Sequence, residues 1–503
     1  MPNYKYTDVS AGQALFLTVN LNEQLLPGTF EYMLNDIIGT KIDISCFDIN
    51  YKNDNVGASA IPPRVLLKLI IYGYYNGHIS SRDIEYLNQN NIIAKALTGD
   101  MPIHFTTIAS FISRNSEEIE KIFAETLAYS NELQLIGGED FAIDGLRLPS
   151  NASIDMSGTR EQLEKRLEIY RKMAEKHVKR HQRKDERGEV DEETKERYEE
   201  RQHELSLKIN KISEFLKDMK EKKGKEGQEI QSNVTDNESA MIKSKEGFIQ
   251  GYIGIAVVDK KNQIIVSAKA VGSANEGEHL PKMLDETIEN LERAGVKEDD
   301  GKKRSILGDP NYFNENNLQA CEERGIEPVI PDGQEQRRKG PDGQKRYDIN
   351  DFKYNEEENN YECPQGKVLE YKRTTEQKGV EGEVYQASLT DCKVCQDFSK
   401  CSWSKKKQSE ISQGKSLRIT KSNDEGSSCR KMREKLATEE YQEKYSRRIQ
   451  IVEPVFGNVR YCKGLNRFTL RGGKKVNGQW QLYCIVHNLE KCLKGYNEGF
   501  KCA

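Results

Sequence analysis

The stretch Gly247–Gly272, GFIQGYIGIAVVDKKNQIIVSAKAVG, narrows the folds open to this chain more than any other. Two apolar, β-branched runs flank Asp259-Lys260-Lys261-Asn262, a pattern that predicts a β-hairpin. Its neighbours set the class. Upstream, FAIDGLRL alternates like a strand after the turn Gly137-Gly138. Downstream, HLPKMLDETIENLERAG is an amphipathic helix stopped at Gly295, and RSILGDPNYF a short strand halted by Asp309-Pro310. NENNLQACEERG is then a helix and EPVIPD a strand. Strand, insertion, two strands, helix, strand, helix, strand is the order of an α/β layer arrangement, a mixed sheet flanked by helices.

Other segments attach to this core. Residues 1–132 read as a helical N-terminal domain: Pro62-Pro63 opens a helix with Leu66, Leu67, Ile70, Ile71 and Tyr74 at helical spacing, and Ser80 or Ser81 caps the next. A third helix sets Ile108, Phe111 and Ile112 inward and Arg114 outward. Short helices and tight turns suit either a helix-turn-helix DNA-binding unit or an ordinary helical domain. The core occupies 133–157, 231–334 and 438–503. Between its first two parts, 158–230 is a charged helical hairpin broken near Gly188 and closed by the linker EKKGKEGQEIQSN. Its arms carry the stripes Leu163, Leu167, Tyr170, Met173 and Leu205, Leu207, Ile209, Ile212, Leu216. Residues 335–437 form a polar, cysteine-containing insertion. A last helix buries Val476, Trp480, Leu482, Tyr483, Ile485, Val486 and Leu489.

At 503 residues, with a net charge of −4, the chain is not uniformly basic, yet Lys400–Lys475 holds 20 Lys and Arg against 8 Asp and Glu. That local excess attracts phosphate. No run is apolar for long enough to span a membrane, and the opening MPNYKYTDVSAGQ lacks the order of a signal peptide. The 11 cysteines are therefore expected as thiols or metal ligands in a reducing, cytoplasmic location.

Within the basic stretch, YSRRIQIVEPVFGNVRY places Glu453 among Arg447, Arg448 and Arg460. A carboxylate facing phosphate needs a cation between the two. Asp144 in a strand and Asp309 at a strand end meet naturally at the edge of an open sheet, with the helix of Glu453 laid across. Three oxygen ligands suit Mg²⁺ or Mn²⁺, and two such ions activate one oxygen and stabilise the other at a phosphodiester. Taken singly, each acid is an ordinary solvated or capping carboxylate. Arg460 falls two turns after Glu453 on the same face, beside the stripe Val452, Val455, Phe456, Val459. Pro454 predicts a kink or a helix start.

With these phrases in place, the chain resembles a DDE transposase of a bacterial insertion sequence. The matching motifs are FAIDGLRLPSNAS, GFIQGY…AVVDKKNQIIV, LGDPNYFNENNLQACEERGI, YECPQGKVL, IVEPVFGNVR and RFTLRGGKKVNGQWQLYCIVHNL. The resemblance implies an RNase H-like core and Asp144, Asp309 and Glu453 as the catalytic, metal-binding triad. Tyr445, Arg448 and Arg460 would form the signature around the third acid. It implies metal-dependent cleavage and strand transfer at terminal inverted repeats, with double-stranded DNA as partner and a homodimer to pair two ends. The N-terminal helices and the basic segment with Arg471, Lys474 and Lys475 would hold those ends, near the nucleoid. A non-catalytic DNA-binding derivative is the alternative. The chain departs from the family at Arg460, where lysine is usual, at Asn311, where glycine is favoured, and at Ile253 and Ile255, where Asn and Gln are common.

Cys363, Cys392, Cys395 and Cys401 are spaced either as a zinc site or as packed reduced thiols. Cys462, Cys484, Cys492 and Cys502 lack ligand spacing. His279 and His487, on amphipathic helices, are expected to be satisfied structural histidines.

Overall fold

The computed structural model describes residues 20–51, 60–187, 192–224, 227–244, 247–297, 302–333, 346–377, 380–401, 407–420 and 427–502. The opening segment read for a leader and the break at Gly188 lie outside them. Helices α1 (Phe30–Ile37), α2 (Pro63–Tyr75), α3 (Ser81–Asn90), α4 (Ile92–Thr98), α5 (Phe105–Arg114) and α6 (Ser116–Glu132) begin the chain. Pro63 starts α2, and the Ser80 side chain accepts from Asp83 N–H to cap α3.

Next come β1 (Asp140–Pro149), the hairpin α7 (Arg160–Asp185) and α8 (Glu192–Asp218), and β2 (Ala240–Ser244), β3 (Gly247–Asp259) and β4 (Ile265–Val271). Helix α9 (Leu280–Arg293), β5 (Ser305–Leu307), α10 (Glu315–Glu323) and β6 (Glu327–Val329) complete the sheet region. The sheet runs β4–β3–β1–β5–β6, with β2 paired to the first half of β3. Strand β3 is antiparallel to β1, whereas β5 and β6 run parallel to it. β3 is buried from Gln250 to Asp259, as its unbroken apolar run requires.

After β6, the polar insertion holds an antiparallel sheet not foreseen in the sequence: β7 (Lys353–Asn355), β8 (Asn360–Glu362), β9 (Val368–Gln377), β10 (Val380–Ala387) and β11 (Ser416–Thr420). Its core is small, formed by Phe352, Leu369, Tyr385, Ala387 and Leu417. Helices α11 (Ser428–Leu436), α12 (Glu439–Ser446), α13 (Arg448–Gly457) and α14 (Gly473–Cys502) close the chain.

One hydrophobic core joins the N-terminal helices to the sheet, with α14 between them. Tyr74 of α2 stacks on Tyr483 of α14 at 4.2 Å. Trp480 donates to the Ile255 carbonyl at 3.0 Å and lies against Gly254, where a Cβ would come within 2.9 Å of the indole. All seven residues expected on the core face of α14 are buried. In the hairpin, Leu163, Leu167 and Ile212 are buried, but Met173 and Leu207 are exposed, so the apolar seam is narrower than the sequence stripes. The linker after α8 carries a short strand pair, Lys222–Lys223 with Glu229–Ile230. No helix among the described residues is long and apolar enough to cross a membrane.

Pro454 does not start α13, which runs through it from Arg448 to Gly457. The proline lacks the N–H that would bond to the Gln450 carbonyl, and Gln263 Nε2 donates there instead at 2.9 Å. The helix then widens into a π turn, Asn458–Cys462. A π turn resets the register, so Arg460 no longer repeats the face of Glu453 as straight α-helical spacing would have it.

Candidate active site

Register places the first two acids. Ala142 on β1 pairs with Leu307 on β5, so Asp144 and Asp309, each two residues further along parallel neighbours, emerge at the same level. Asp144 is opposite Ala256 in the middle of β1, with its side chain 24% exposed. Gly145 N–H donates to Oδ1 of Asp144 at 2.8 Å, and Arg448 Nη2 of α13 meets Oδ2 at 2.6 Å. Burial raises the Asp144 pKa above the usual carboxylate range; Arg448 opposes this, and the negative charge of Asp309 adds to it. The two aspartates therefore sense each other. Asp309 ends β5 as the cap of the turn Pro310–Tyr312 and accepts from Asn311 N–H at 2.9 Å.

A third carboxyl, missed in the sequence, stands beside them. Glu276, in the connection from β4 to α9, has a side chain only 3% exposed. Its Oε1 accepts from Arg147 Nη2 on β1 and from Asn311 Nδ2, both at 3.0 Å, while its Oε2 is buried without a partner. Burial and then the Asp309 charge push its pKa up to about 7. Two glycines make the close approach possible. A Cβ on Gly145 would lie 2.1 Å from Glu276 Oε2, and one on Gly277 would lie 2.2 Å from the Asn311 carbonyl. The Tyr312 hydroxyl, also buried and unpartnered, feels the charges of Glu276, Asp144 and Asp309. The sequence signal for Glu276 is an acid directly before a glycine in SANEGEHL, which is too common to single out.

The expected third acid is placed differently. Glu453 is exposed on α13 and makes no hydrogen bond or ion pair among the described residues. Arg448 comes from the same helix, and Glu453 lies five residues beyond it, about 7.5 Å along the axis. Among the described residues no group of three or more His, Cys, Asp or Glu is set to hold a metal ion. The structure thus gathers Asp144, Asp309 and Glu276, while Glu453 is exposed on α13.

Arg448, expected on DNA, is 9% exposed and engaged with Asp144, and its Nε has no partner. Tyr445 is half-buried beside Arg448, close enough for both aspartates to raise its pKa after burial. Arg460 is exposed over the Tyr461 ring, Arg471 donates to the Asn151 carbonyl at 2.6 Å, Lys474 pairs with Glu117 at the surface, and Lys475 is exposed. In the insertion, burial and then neighbouring cysteines, Cys363 and Cys395 among them, raise the pKa of Cys392 and Cys401; the four thiols are neighbours but, among the described residues, form no group set to hold a metal ion. Cys484 and Cys492 are buried and Cys462 is exposed. His487 is satisfied, donating from Nε2 to the Gln263 carbonyl at 2.9 Å. His279 is not: it sits in the short turn Gly277–His279 before α9, with its Nε2 buried and unpartnered.

Compared with known families, residues 362–493 match a transposase DDE domain, and residues 19–114 match a transposase domain, DUF772. The first match spans Tyr445, Arg448, Glu453, Arg460 and the four insertion cysteines; Asp144 and Asp309 lie outside both. No curated protein matches the chain.

Proposed function

This chain belongs to the DDE transposases of insertion sequences, and from that membership we propose that it cleaves DNA at the terminal repeats of its element and joins the freed strand to a target. The observation that carries the reading is the meeting of Asp144 and Asp309 on parallel neighbours β1 and β5, with Arg448 of α13 laid against them. The strand order β4–β3–β1–β5–β6 fits an RNase H-like core.

The donors of Asp144 and Asp309 fit a hard divalent cation, being carboxylate oxygens only, with the Gly145 and Asn311 N–H groups fixing one oxygen of each. Asp144 and Asp309 would hold Mg²⁺ or Mn²⁺, which when bound supplies Lewis-acid activation of the attacking oxygen and relief of charge on the leaving one. Arg448 balances the charge of Asp144. We assign Glu453, exposed on the helix that carries Arg448, the third ligand position in the DNA-bound state, reached by an advance of α13. Arg460, Arg471, Lys474 and Lys475 hold the backbone of the ends, the N-terminal helices contribute to their recognition, and two copies pair them in the cytoplasm.

Zinc in the insertion is part of this reading. Cys363 Sγ accepts from Lys367 N–H at 3.4 Å and Cys392 Sγ from Lys415 N–H at 3.3 Å, backbone contacts of the kind that orient metal-ligating side chains. Stoichiometric zinc in the purified chain is expected, and freely alkylated thiols without zinc would remove it.

The deciding experiment is cleavage of element-end DNA in Mg²⁺ or Mn²⁺. Asp144→Ala, Asp309→Ala and Glu453→Ala should each lose at least about a hundredfold in rate, by the scale of losing a charge-stabilising group. Equal rates in wild type and all three variants would refute the site assignment, and no cleavage by wild type would leave a non-catalytic DNA-binding derivative.

A further inference from the structure

A buried carboxylate with one unpartnered oxygen is costly, and Glu276 sits where that cost does something for a neighbour. Its Oε1 is held by two donors from different segments: Arg147 on β1 and Asn311 after β5. The same Asn311 amide nitrogen also donates to Asp309 Oδ2 at 2.9 Å, while the Asn311 backbone N–H holds Asp309 Oδ1 at 2.9 Å. Both amide protons are thus committed, one to each carboxylate. The two connections are clamped together as well, because Asn317 Nδ2 donates to the Gly277 carbonyl at 2.8 Å and to the Tyr312 carbonyl at 2.9 Å. The chain Arg147–Glu276–Asn311–Asp309 therefore ties β1, which carries Asp144, to the loop that carries Asp309.

We propose that Glu276 is a positioning residue for the cleavage reaction, orienting the Asp309 carboxylate toward a divalent cation through the Asn311 amide. This rests on the reading of Asp144 and Asp309 as cation ligands. Glycine at position 311 has no amide to bridge the two acids, so the device depends on this chain's own asparagine. Glu276 acts on Asp309 alone and does not itself ligate.

The test uses the full chain without DNA and reads Mn²⁺ binding from the free-ion electron paramagnetic resonance signal, followed by cleavage at saturating Mn²⁺. Asn311→Gly and Glu276→Ala should each weaken Mn²⁺ about tenfold, on the scale of lost outer-shell partners. Saturating Mn²⁺ should recover most of their cleavage rate. Glu276→Gln keeps an Oε1 acceptor, so its affinity should lie nearer wild type than that of Glu276→Ala. The double variant should bind no more weakly than either single one, since both cut the same chain. Unchanged affinity in Asn311→Gly would overturn the proposal, and this variant stands even if Glu276→Ala fails to fold. Mn²⁺ binding lost in Glu276→Gln as fully as in Asp309→Ala would overturn it in favour of direct ligation. Equal Mn²⁺ affinity in wild type and Asp309→Ala would instead bring down the underlying reading, and the proposal with it.

Discussion

His487 on α14 shows how one residue's surroundings fix its chemistry. It is 1% exposed, donates from Nε2 to the Gln263 carbonyl and faces the Asn458 amide with Nδ1 at 3.3 Å. Burial lowers its pKa from 6.5 to about 4; the Gln263 bond and Glu490 favour the cation, while Lys491 and Lys463 oppose it. The folded state therefore holds a neutral ring where the unfolded chain would take up a proton. Its contribution to stability is full above pH 6.5 and lost as pH falls toward 4, by about 3 kcal/mol in all. In urea unfolding at pH 7 and pH 4, wild type should lose about that much more than His487→Gln between the two. Parallel losses would mean that the imidazole is not buried neutral. The sequence placed this histidine correctly as structural because its helix has an apolar face. It misjudged His279 on the same argument, since α9 begins one residue later and the ring falls in the turn before it.

Among the elements, α13 carries an internal proline at the cost of one backbone bond, and a side chain from the β3–β4 turn replaces it. Gln263→Ala should cost about 1 kcal/mol in urea unfolding by leaving the Gln450 carbonyl without its donor. Adding Pro454→Ala should recover that loss, because alanine restores the N–H. Gln263 also accepts from Lys491, so the double-mutant cycle is needed to isolate the term. Strictly additive effects would show that the Gln263–Gln450 bond does not compensate the proline. Hydrophobic period made the central strands and α14 legible, since β3 and α14 bury what their patterns present. The insertion's sheet was hidden for the converse reason. β9 reads VLEYKRTTEQ, with Val368 and Tyr371 exposed and Leu369 fully buried, so its alternation is drowned by charge.

At the scale of the whole molecule, what the sequence could not supply was which carboxyls share a corner. Asp144 and Asp309 were readable because one lies within a strand and the other ends a strand, and the parallel register of β1 and β5 brings the two level. Glu276 was not, because its place depends on a loop crossing over Gly145 and locking to Asn311. Glu453 was expected beside the pair, yet it stands on the open face of α13 while Arg448 from that helix occupies Asp144. On the proposed reading, cation binding and cleavage are then separable. Without DNA, Mn²⁺ should bind Glu453→Ala as tightly as wild type, whereas Asp309→Ala should lose binding, because Asp309 stands level with Asp144 and Glu453 is exposed on α13. With element-end DNA, Glu453→Ala should fail to cleave, since the advance of α13 brings no third carboxylate. If Glu453→Ala weakens Mn²⁺ in the absence of DNA as much as Asp309→Ala does, the acid is already at the corner in the free protein and no helix movement is required.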